Sequence, residues 1–85
     1  MTDLARQIRA FALRALLAAR GPISDAALRS AILAAFPAVA FTTGDLTGYL
    51  QDLEDFNYVA GTDDPIGGVM WDLTPKGKIK AQQLR

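Results

Sequence analysis

The run GYLQDLEDFNYVAG, residues 48–61, decides the fold of this chain. Leu46, just upstream of it, and then Tyr49, Leu50, Leu53 and Phe56 recur at intervals of three and four, which places them on one inward face of a helix. At Asn57 the period changes. Tyr58, Val59 and Ala60 read as the start of a strand, residues 61–68 as a turn region holding Asp63-Asp64-Pro65 and Gly67-Gly68, and Val69 to Leu73 as a returning strand. The spacing predicts a helix followed by a β-hairpin with an eight-residue loop spanning 61–68.

Upstream of this run, Thr42 and Asp45 have the spacing of a capping box that opens the same helix, and residues 38–41 form a short connector. Pro37 closes the preceding helix, which is capped by Ser24 and Asp25 and carries the stripe Ala27, Leu28, Ala31, Ile32, Ala35 and Phe36. A first helix begins at Thr2 and Asp3, repeats Leu4, Ile8, Phe11, Ala15 and Ala18, and stops at Gly21-Pro22. Between these two helices Ile23 stands alone as an apolar residue, with room for a very short strand. Downstream of the hairpin, Thr74 can cap and Pro75 can occupy the first turn of a last helix from Lys76 to Leu84, with Ile79 and Leu84 as its inward contacts.

The expected architecture is therefore a single domain over residues 1–85, mainly α with a β-hairpin, in the order α-α-α-β-β-α. This is an α+β chain. The run 48–61 resembles the third helix and first wing strand of winged helix-turn-helix regulators of the MarR and PadR types. WDLTPKGKIKA, residues 71–81, is similar to their wing exit, in which a leucine and a capping threonine lead into the closing helix. In size and layout the chain also resembles small winged-helix proteins of Mu-like prophages.

What the resemblance implies about function turns on the outward face of the third helix, since that helix lies in the DNA major groove in such regulators. Thr43, Gly44, Thr47, Gly48 and Gln51 would then approach bases, and Lys76 and Lys78 would approach phosphates. Gln51 suits adenine, Thr47 suits a thymine methyl or a phosphate, and the two glycines permit close approach at a cost of ~1 kcal/mol each relative to alanine. The charge pattern departs from that family. Asp45, Asp52, Glu54 and Asp55 lie on this helix with no Lys or Arg, and Asp63 and Asp64 lie in the hairpin loop. Phosphate neutralisation supplies much of DNA affinity, so an acidic helix in the groove is repelled.

Two classes of function stay open on this reading. One is a DNA-binding transcription regulator. The other is a non-catalytic protein-interaction module in which Asp45, Asp52 and Asp55 meet a basic protein partner. Positive charge is concentrated elsewhere, at Arg6, Arg9, Arg14 and Arg20 on the first helix, Arg29 on the second, and Lys76, Lys78, Lys80 and Arg85 at the C-terminus. Leu13 and Leu17 lie off the main stripe of the first helix, where an apolar pair can form a dimer seam, as the related regulators dimerise through terminal helices, or can belong to a helix buried on two sides by the small core. Tyr49, Phe56, Tyr58 and Trp71 gather where the third helix meets the hairpin and read as packing.

Composition excludes more than it identifies. The 85 residues are 51% hydrophobic and hold nine basic and nine acidic side chains, so no net field announces a partner. Cysteine and histidine are absent, which removes disulfides, thiolate nucleophiles, the usual zinc ligands and the commonest general base. With no phosphate-loop glycine pattern either, the chain reads as a protein without catalytic residues, cofactor or metal. Asp3 stands where a signal peptide would carry positive charge, and Arg6, Arg9 and Arg14 interrupt the apolar N-terminal stretch. Neither a signal peptide nor a membrane span is expected, and a cytoplasmic location follows by default.

Overall fold

The computed structural model describes residues 2–66 and 68–84, with Thr2 and Thr43 described by their backbone alone. Gly67 of the expected turn and Arg85 of the basic C-terminus lie outside the described residues. The elements run α1 (Thr2–Ala19), β1 (Ile23–Ser24), α2 (Asp25–Ala35), α3 (Thr43–Asp55), β2 (Val59–Asp64), β3 (Gly68–Leu73) and α4 (Pro75–Gln83). This is an α+β chain, its three strands forming one antiparallel sheet in the order β1-β3-β2.

Local chemistry sets the helix starts. Ser24 Oγ accepts from the backbone N–H of Ala27 at 3.2 Å and opens α2. At α3 the capping box is complete: Thr42 Oγ1 accepts from Asp45 N at 3.1 Å, and Asp45 Oδ2 accepts from Thr42 N at 3.0 Å. Thr74 Oγ1 accepts from Gly77 N at 3.0 Å, with Pro75 in the first turn of α4. The end of α3 is a Schellman motif. Asn57, at φ 64°, is the left-handed residue, and the N–H groups of Asn57 and Tyr58 donate to the carbonyls of Glu54 and Leu53 at 2.9 and 3.0 Å.

The hairpin is longer-stranded than its composition suggests. Pairing runs in unbroken register from Val59↔Leu73 to Asp64↔Gly68, which puts Pro65 and Ile66 at the tip and makes the turn much shorter than the eight-residue loop expected from sequence. Aspartate and glycine are weak β formers, but backbone pairing with β3 carries them. Gly61 lies opposite Trp71, and a Cβ there would meet the indole at 3.0 Å, so the ring covers the glycine instead of a side chain. Ile23 pairs with Trp71 on the other side, making β3 the central strand.

The core joins Ile8, Ala12, Leu13 and Leu16 of α1, Leu28 and Ile32 of α2, Leu46, Leu50 and Leu53 of α3, Val59, Trp71 and Leu73 of the sheet, and Ala81 of α4. Each fully buried Leu or Ile stabilises the fold by about 2 kcal/mol relative to an exposed one. One open alternative is decided here, for Leu13, and two sequence expectations are corrected, for Phe56 and Ile79. Leu13 is in the core at 2% exposure, because α1 is packed by α2, α3, β3 and α4 together and its buried arc is wider than one stripe. Phe56 is the C-cap of α3 and 53% exposed, since the chain reverses at the next residue. Ile79 is 60% exposed, because α4 docks through Gly77 and Ala81.

Gly77 explains that docking. A Cβ at this position would lie 1.8 Å from the carbonyl oxygen of Tyr58, so only glycine allows α4 to approach the start of β2. Around it, Lys76 Nζ donates to Phe56 O at 3.1 Å, Thr74 Oγ1 to Asn57 O at 2.6 Å, and Thr74 N to Tyr58 O at 3.0 Å. The consecutive carbonyls at residues 56–58, which leave the end of α3, are thus all satisfied by the start of α4.

Candidate functional site

The outward face of α3 is the natural place to look for recognition, and most of its polar groups are already engaged within the molecule. Gly44, Asp45, Thr47, Gly48, Gln51 and Asp55 are exposed, while the Thr43 side chain lies outside the described residues. Thr47 Oγ1 accepts from Arg29 at 2.8 Å, and Arg29 Nε in turn donates to Asp25 at 2.8 Å. The other oxygen of Asp25 accepts from Trp71 Nε1 at 2.8 Å, so one chain of bonds ties β3, α2 and α3 together. Trp71, 8% exposed, is a packing residue.

Gln51 Nε2 donates to Glu54 and Asp55 on its own helix at 3.3 and 3.1 Å. Asp45 is spent on the capping box. Asp52 pairs with Arg9 of α1 at 2.6 Å, and Arg9 also lies 6.0 Å from the Tyr49 ring centre. Glu54 accepts from the Gly61 N–H at 3.2 Å, which joins the acidic end of α3 to the outer strand β2. Beyond that point the strand carries Asp63 and Asp64, both exposed, and Ile66 stands at the tip 98% exposed.

The residues expected to contact DNA divide: Gly44, Thr47, Gly48 and Gln51 share the exposed face of α3, whereas the two lysines lie away from them. Lys76 is bonded at the C-terminal end of α3, and Gly44 lies at the N-terminal end, about 18 Å away along the helix rise. Its ammonium also lies 5.2 Å from the Tyr58 ring centre, a second internal contact. Lys78 is exposed elsewhere, in a groove it shares with Leu16, Leu17, Arg20, Gly21, Asp72 and Leu73. Of the apolar pair expected at a dimer seam, Leu13 is buried, with 2% of its surface exposed, and Leu17 is half-buried against the core.

A second feature escaped sequence reading. Between α1, the end of α3 and α4 runs a groove of about 300 Å³ whose floor is Leu13, Leu53, Phe56, Tyr58 and Leu84 and whose rim is Arg6, Arg9 and Lys80. The packing of α1 on α4 that brings its basic residues together was foreseeable, but the outward turn of Phe56 was not. Ile66 was the missed signal at the other end of the molecule, a lone apolar residue in the polar stretch DDPIGG.

Among the described residues no three or more His, Cys, Asp or Glu side chains cluster as metal ligands, and no helix is long and apolar enough to cross a membrane. Comparison with protein-family models, with curated proteins and with solved structures finds no match to this chain.

Proposed function

We propose that this chain is a winged-helix domain that works as a non-catalytic protein-interaction module, its α3 and hairpin surface meeting a basic partner. The element order and the β1-β3-β2 sheet support the winged-helix reading, with α2 and α3 as the helix-turn-helix and β2–β3 as the wing. Fold alone does not choose between DNA and protein as the partner.

The choice rests on one observation: the cations beside this surface are committed to internal ion pairs, whereas Asp55, Asp63, Asp64 and Ile66 are left exposed. Arg9 is paired with Asp52 and Arg29 with Asp25. Asp55, Asp63 and Asp64 remain exposed, and the wing tip presents isoleucine where a minor-groove contact would present arginine or lysine. An apolar tip flanked by carboxylates suits a protein surface with an apolar recess and a basic rim.

Fluorescence anisotropy with a labelled DNA duplex and a labelled basic peptide, each at several salt concentrations, tests the reading. The basic peptide is expected to bind, and the double variant Asp63→Asn/Asp64→Asn to weaken it. Salt-dependent duplex binding that falls on Lys78→Ala would instead establish a DNA-binding protein. Failure of the basic peptide to bind at low salt also overturns the proposal.

A further inference from the structure

The recess and rim that the hairpin tip requires are present on the same chain. The groove between α1, α3 and α4 offers an apolar floor that includes half-exposed Phe56, and Arg6 and Lys80 on its rim make no ion pair among the described residues. The tip offers Ile66, 98% exposed, with Asp63 and Asp64 beside it. Charge is balanced over the whole chain, nine against nine, yet these two surfaces carry opposite signs. We infer that the hairpin tip of one copy docks into the basic groove of a second copy, Ile66 entering the apolar floor and Asp63 and Asp64 meeting Arg6 and Lys80.

This inference rests on the hairpin being a protein-contact element and names its partner as the chain itself. The contact is heterologous, because tip and groove are different surfaces. Each pair therefore keeps one tip and one groove unfilled, on different copies, and assembly continues head to tail into an open chain or a closed ring. A hairpin tip buries well below the ~800 Å² per partner of a standard interface. Association is accordingly weak, with Kd on the order of 0.1 mM. Because its charges are exposed, raising salt from about 0.05 M to about 0.5 M shortens the screening length severalfold and weakens association about tenfold.

Sedimentation velocity over a concentration series is the test, with wild type, two variants and the mixture of those variants. Wild type is expected to grow beyond a dimer as concentration rises, and to shrink again in high salt. Ile66→Asp removes the tip and Arg6→Glu/Lys80→Glu reverses the rim, at two exposed positions and one partly buried one, with circular dichroism checking that the fold is kept. Each variant alone is expected to be monomeric. Mixed in equal amounts, they retain one good tip and one good groove between them and form a one-to-one dimer that does not grow.

Wild type that stays monomeric at low salt and high concentration overturns the inference, and so does association that survives Ile66→Asp, the result expected of a two-fold dimer through α1 and α4. A mixture that stays monomeric overturns it as well. Those failures leave the basic-peptide result standing, whereas duplex binding removes the interaction reading while self-association can still be measured. The two failures are therefore distinguishable.

Discussion

At its base the hairpin is held by α4, which satisfies the carbonyls of Phe56, Asn57 and Tyr58 and lies so close that Gly77 has no room for a Cβ. At its tip, some five residue steps or roughly 17 Å along β2, the Ile66 side chain is open to solvent, its N–H donates to Asp64 Oδ1 at 3.0 Å, and Asp63 and Asp64 are exposed. Apolar surface left projecting from a short, paired strand does nothing for the stability of this chain. The base is where sequence was constrained by folding, and the tip is where it is free to serve a contact.

The contrast can be broken most sharply at the base. Gly77→Ala is expected to destabilise the protein by about 4 kcal/mol, because the new methyl meets a backbone carbonyl that cannot step aside without releasing the Thr74 bonds. Urea unfolding measures it, and a loss under about 1 kcal/mol would mean that α4 does not approach β2 in this way. Leu13→Ala comes next, at about 3 kcal/mol for a buried leucine. Were Leu13 a surface residue of a dimer seam, the same substitution would change self-association and leave monomer stability nearly intact.

Smaller effects sharpen the same comparison. Thr74→Ala removes both the α4 cap and the bond to Asn57, and a loss of about 1.5 kcal/mol is expected by thermal or chemical unfolding. Ile66→Asp, at the far end of the hairpin, is expected to shift stability by less than about 0.5 kcal/mol. A large destabilisation there would show that the tip is packed, which would remove the basis for treating it as a contact element.

The α3 surface separates along the same line. Its polar side chains look available for recognition when read in sequence, yet Thr47, Gln51, Asp45 and Asp52 are all engaged with neighbours. Arg29 and Arg9, which supply two of those neighbours, come from other helices, 18 and 43 residues away in the chain. No reading of a single helix face could have found them.

By itself the sequence determined the punctuation and the order of elements. Ser24, Thr42 with Asp45, and Thr74 with Pro75 cap the helices through bonds spanning only three residues, while Gly21-Pro22 and Pro37 end helices by removing or restricting backbone freedom. Such effects act within a few residues and need no tertiary partner. Only the tertiary structure decided that Leu13 turns inward while Phe56 and Ile79 turn outward, that β2 reaches Asp64, and that Lys76 caps α3. Periodicity identifies a helix face, but the width of its buried arc depends on how many neighbours cover it. Strand length, likewise, depends on the partner strand more than on the residues within it.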